Sequence, residues 1–189
     1  MNLTQVVHEE IRSLPQVTIG KLAGLARGGG NEFLMAPDMR FAAIGASGQS
    51  QPETLMGIIP GGGSTQYLTK LTGRARALEL ILGGELVDAE LAAAYGLVDR
   101  ALPAGELDGF VDTLARRIAR LRPEITAAVK AAVDAAAAPV TREGLAVENE
   151  ALTGLFTPDA AVLARRQLAA GARTREGERR PEDILNAPQ

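Results

Sequence analysis

Residues 24–38 read GLARGGGNEFLMAPD, and this stretch decides how the chain is organised. Three consecutive glycines, Gly28 to Gly30, precede a short helical run, Asn31 to Ala36, which Pro37 ends early. Upstream, Val17 to Leu22 reads as a short buried strand. The order is strand, tight turn, helix start. Glycine lets the backbone take unusual angles and lets a ligand approach closely. The first amides of the helix have no intrahelical partner, point outward, and sit at the positive end of its dipole. Such an amide can hold a carbonyl oxygen that gains charge during a reaction; one donor of this kind contributes about 3 kcal/mol. Glu32 falls in the first turn of this helix, close to the proposed donor. Taken alone, the stretch reads more readily as a plain tight turn followed by an acid that complements the dipole.

The next informative stretch is residues 51–66, QPETLMGIIPGGGSTQ. Glu53 follows a proline and precedes the apolar run Leu55 to Ile59. A carboxylate facing an apolar cleft is desolvated, which moves it toward the working range of a general acid or base. The alternative is a solvated loop acid. Gly61 to Gly63 match neither a P-loop, which needs a lysine that is missing here, nor a dinucleotide fingerprint.

Working outward, Leu3, Val6, Val7, Ile11 and Leu14 recur at helical spacing until Pro15. Met39 to Ile44 reads as a second strand and Gly45 to Ser50 as loop, with Ser64 as a helix N-cap. Helices are expected over Ser64 to Leu71, Arg74 to Leu82 and Asp88 to Tyr95, with Gly73, Gly83 and Gly96 as stops. A short strand, Val98 to Leu102, follows. Four more helices are expected: Glu106 to Leu121, Pro123 to Ala137, Arg142 to Phe156 and Asp159 to Ala170. Leu107, Val111, Leu114 and Ile118 form an apolar stripe. Strands early and helices late give an α/β class with a helical C-terminal region. Residues 1–104 form the expected core with the glycine turn and acids, 105–170 the helical region, and 171–189 a mobile tail.

Composition narrows the function. At 46% hydrophobic and 23% charged residues, the chain is an ordinary globular one, which argues against disorder. A net charge of −3 offers no electrostatic case for nucleic acid or an anionic membrane. No run is long and apolar enough to span a bilayer, and Met1 to Glu10 does not read as a signal peptide. With no cysteine, disulfides and thiolate chemistry are excluded, and a cytoplasmic address is expected. His8 is the only histidine, so a multi-histidine metal site cannot form, and a surface or structural role is expected for it. Chemistry here runs on carboxylates and backbone amides.

Taken together, GGG-x-E, then DMRFA, QPE, GIIPGGGSTQYL, LTGRARALELILGGE and DAELAAAYGLVDRALP resemble the crotonase superfamily of enoyl-CoA hydratases and isomerases, from about Leu14 to about Lys130. The resemblance implies a crotonase-like spiral ββα core. It implies that Gly29 supplies one of two amides holding an acyl-CoA thioester oxygen, and that Glu32 and Glu53 are the two catalytic carboxylates. In hydratases these hold a water that adds across the C2–C3 double bond. Keeping both acids favours hydration over isomerisation. Gly61 and Gly62 match the turn beside the acyl pocket. No metal or redox cofactor is implied; coenzyme A arrives as the substrate thioester.

The sequence departs from the family at its start. Members carry the other oxyanion amide on an opening loop of the form A-F-x-A-G-x-D, which does not occur here. A truncated gene model or fragment is the leading expectation; a chain completed by a partner, or a degenerate non-catalytic subunit, are the others. The family's C-terminal helices form trimers that often pair into hexamers, so a homo-oligomer is expected, with the Leu107–Ile118 stripe serving either that interface or the domain's own packing. Arg165, Arg166, Arg173, Arg175, Arg179 and Arg180 are expected on a solvated face.

Overall fold

The computed structural model describes residues 1–136, 142–179 and 184. Helix α1 (Leu3–Ser13) leads into strand β1 (Ile19–Leu22), β2 (Leu25–Arg27) and helix α2 (Gly29–Leu34). The same order repeats: β3 (Met39–Ile44), β4 (Gly48–Ser50), a 3-10 turn (Pro52–Met56) and α3 (Ser64–Thr72). The first strand of each unit joins one sheet and the second joins another. β1 pairs with β3 in parallel, Ile19 opposite Met39, and β2 pairs with β4 in parallel, Leu25 opposite Gly48. After α4 (Arg74–Gly83), β5 (Val87–Asp88) closes the second sheet antiparallel to β4. After α5 (Ala89–Tyr95), β6 (Arg100–Pro103) extends the first parallel to β3. The result is a ββα spiral.

β3 is covered on both faces, as parallel strands usually are. Ala42 packs with Leu22, Tyr67, Leu68, Leu80 and Leu97 in the main core. Phe41 and Ala43 meet Leu107 and Val111 of α6 (Ala104–Ala119), with Leu114 packed alongside. The first three residues of the apolar stripe therefore pack on their own domain. Ile118 instead lines a cleft of about 310 Å³ with Pro15, Val17, Ile19 and Leu121, and neither acid lines it.

Several boundaries differ from expectation. Gly48–Ser50, expected as loop, is β4, and β2 escapes the sequence reading too. Both are three residues long and lack an alternating pattern; pairing with neighbours fixes them, not propensity. The N-cap of α3 is Gly63, not Ser64, which is the first helical residue and fully buried. α4 runs through Gly83, and Gly84 (φ 66°) takes the left-handed cap. The Pro52–Met56 segment is helical, so Glu53 sits in its first turn.

α1 is present, yet its apolar stripe is not its docked face. Leu3 is 80% exposed, whereas Gln5 and His8 are buried. The docked face is polar and bonds to backbone: Asn2 Nδ2 donates to the Gly61 carbonyl (2.6 Å), Gln5 to Leu145 and Arg12 to Met35.

The later helices are α7 (Pro123–Ala136), α8 (Arg142–Gly154) and α9 (Pro158–Ala169). Of the Ala135–Ala138 run, 137 and 138 lie outside the described residues, as does Arg180. The other five arginines are exposed. Residues 171–179, expected as part of a tail, form turns and a 3-10 turn, Gly177–Arg179, whose Arg179 carbonyl accepts from Arg27 Nη2 (3.1 Å). Among the described residues no helix is long and apolar enough to cross a membrane.

α7 is tied to the body by Lys130, whose Nζ lies 2.9 Å from Asp38 Oδ1 and donates to the Gln16 carbonyl. Asp38 also accepts from Thr18, so the pair pins the β1 entry, α7 and the β3 entry together. The pair is partly buried, between the exposed and buried limits for an ion pair. Lys130→Met is expected to lower stability by about 1–2 kcal/mol, read from urea denaturation.

Candidate active site

The site is assembled around the turn into α2. Gly28 caps this helix with φ 52° and ψ −126°, backbone angles that L side chains rarely adopt. A Cβ there would also lie 3.0 Å from Glu53 Oε1. Both the turn and the approach of the acid therefore need glycine at this place. Gly29 and Gly30 are exposed and open α2, and the first intrahelical bond runs from Glu32 N–H to the Gly28 carbonyl (3.0 Å). The Gly29 amide thus precedes the helix's own hydrogen-bond ladder.

Glu32 is 4% exposed. It stands in the first turn of its own helix, and its carboxylate also reaches across to another element. Its Oε1 accepts from the amides of Gly62 (2.6 Å) and Ser64 (3.3 Å). Since Gly63 has no side chain to cap α3, Glu32 supplies that acceptor from another element. The Gly61–Gly63 loop therefore closes directly on the acid, and a Cβ at Gly62 would fall 2.5 Å from Glu32 Oε2.

His8 grips the same residue from behind. It is 2% exposed, and its Nδ1 lies 2.9 Å from the Gly62 carbonyl. A carbonyl only accepts, so Nδ1 carries a proton. The sole histidine is thus a buried strut for the turn that holds Glu32. His8→Leu leaves that carbonyl without its donor and is expected to cost about 1–3 kcal/mol in thermal or urea unfolding.

Glu53 is 7% exposed, so it is not a solvated loop acid. Gln51 Nε2 lies 3.3 Å from each of its oxygens, and Gln51 Oε1 accepts from Asn31 Nδ2 at 2.7 Å. Both amides stand inside the motifs, Asn31 within GGG-x-E and Gln51 within QPE, but nothing in the sequence marks them as partners. The five predicted residues gather on two contacts: Glu32 against Gly62, which follows Gly61, and Glu53 against Gly28, which precedes Gly29.

The model of the enoyl-CoA hydratase/isomerase family matches residues 3–164. The chain belongs to the enoyl-CoA hydratase/isomerase family. Among relatives, the "Probable enoyl-CoA hydratase echA8" of Mycobacterium bovis is 37% identical over 142 residues, covering 75% of this chain and 55% of that protein. The mitochondrial enoyl-CoA hydratase of Pongo abelii is 34% identical over 148 residues, 78% of this chain and 51% of that one. The crystal structure of "a putative enoyl-CoA hydratase from Streptomyces avermitilis" superposes with a TM-score of 0.91 at 50% identity, covering 98% of this chain and 67% of that chain. The ββα spiral is therefore the crotonase-like fold. The chain spans about half the length of the curated relatives it matches.

Proposed function

We propose that this site adds water across the C2–C3 double bond of a 2-enoyl-CoA. The observation that carries the reading is the placement of two buried carboxylates about one glycine turn: Glu53 against Gly28, and Glu32 four residues beyond it on α2. In this reading the Gly29 amide, which precedes the hydrogen-bond ladder of α2, holds the thioester oxygen and stabilises the charge that develops there. One acid assists delivery of the hydroxyl to C3 and the other transfers the proton at C2. The names of the Mycobacterium bovis and Pongo abelii relatives support the same substrate class.

Double-bond isomerisation is the second reading. The family description includes it, and a Mycosarcoma maydis relative, 35% identical over 140 residues, is named "Enoyl-CoA isomerase/hydratase fer4". The deciding experiment is product identification after incubating the chain with a short 2-enoyl-CoA. A 3-hydroxyacyl-CoA supports hydration. A shifted double bond transfers the assignment to isomerisation, and an unchanged thioester rejects both for this chain.

A further inference from the structure

Asn31 and Gln51 are each 1% exposed, more deeply buried than either acid. Burying two side-chain amides costs free energy that a leucine or methionine of similar size would avoid. Their arrangement is directional. Asn31 Nδ2 donates to Gln51 Oε1 at 2.7 Å, and Gln51 Nε2 sits 3.3 Å from both oxygens of Glu53. An amide has one accepting end and one donating end. With its oxygen held by Asn31, Gln51 can turn only its NH2 toward the carboxylate. A flip would set oxygen against carboxylate and NH2 against NH2, replacing two bonds with two repulsions. Asn31 Oδ1 has no partner among the described residues, so the bond to Gln51 is the polar contact that fixes this side chain.

We propose that Asn31 and Gln51 form a two-amide relay that orients the Glu53 carboxylate and registers it to α2, the helix carrying Glu32 and Gly29. Both are positioning residues. Their catalytic meaning rests on the hydratase reading; the relay itself does not. A donor aimed at the charged form of a carboxylate favours that form, so removing the donor moves the titration of Glu53 upward. Other charged groups on the surrounding elements (Arg27 of β2, Glu32 of α2, those of α4 and α9) are common to all variants and cancel from the difference.

The test uses Gln51→Met and Asn31→Leu, both neutral, so that no new charge enters. The readout is the carboxyl-carbon NMR titration of Glu53 in the full chain, its resonance identified by its loss in Glu53→Gln. Gln51→Met is expected to raise the midpoint by about one pH unit, and Asn31→Leu by a smaller step in the same direction, because Gln51 is then free to turn. Where the parent chain hydrates an enoyl-CoA, kcat falls about tenfold or more in Gln51→Met with KM little changed. A midpoint that stays put in folded variants overturns the relay, as does failure of both variants to fold, which would make the amides fold elements alone. A shifted midpoint in a chain without hydratase turnover keeps the relay and removes the hydratase reading.

Discussion

On the hydratase reading, Glu53→Gln and Glu32→Gln are each expected to lower hydration of a short 2-enoyl-CoA by about two to four decades while the chain stays folded. That range is what a positioned general acid or base contributes. Glutamine preserves shape and one acceptor oxygen, so the variants separate chemistry from architecture. In Glu32→Gln the retained oxygen can still accept from Gly62 and Ser64, the two amides now bonded to Oε1. The cap on α3 survives, and what is lost is the ability to take or give a proton. In Glu53→Gln the side chain still fits the space against Gly28, three ångströms from where a Cβ would stand (3.0 Å). Steady-state rates with product identification measure the effect, and circular dichroism with urea unfolding confirms the fold. Turnover that persists in both variants removes the acids from the mechanism and with them the hydratase proposal.

Glu32 has a second duty that the glutamine variant hides. Because its carboxylate caps a helix from a different element, truncation and isosteric replacement part company there. That duty was not legible in the sequence. A first-turn acid suggests the dipole of its own helix, and nothing in GGGNE says that Gly62, thirty positions on, is its donor (|i−j| = 30). The fold shows the same division. α3, α4 and α5 were readable because glycines mark their ends and Leu68, Ala77, Leu80 and Ala92 recur at core positions. β2 and β4 were not, since LAR and GQS carry no strand pattern and become strands by pairing with each other and, for β4, with β5 as well. α1 was readable as a helix but misleading as to its face. Its polar residues dock because the surface they meet is loop backbone, carbonyls of Gly61 and Gly62, which demands donors and not methyl groups. The candidate acids came from motif order, and their burial from tertiary structure.

The position that tests this coupling most sharply is Gly62. Its backbone is not in the left-handed region, so alanine brings no torsional penalty. The cost is steric. The added Cβ would meet Glu32 Oε2 at 2.5 Å and Cδ at 2.8 Å, with Thr4 Cγ2 at 3.1 Å. A carboxylate tip on an exposed side chain would swing aside. Glu32 is buried and held by two amides, one of them from Gly62 itself, so moving it breaks the α3 cap. Gly62→Ala is therefore expected to lose about 3 kcal/mol, combining overpacking with disrupted bonds to a charged acceptor, and to depress turnover with it. Gly61→Ala is the control. Its Cβ would meet the Leu152 Cδ2 tip at 2.0 Å, a closer clash on paper, but an apolar side-chain end that can change rotamer. It is expected to cost about 1 kcal/mol or less and to leave the acid in place. If Gly62→Ala unfolds no more readily than Gly61→Ala, the glycine loop is not the seat of Glu32, and the acid is free to move within the site.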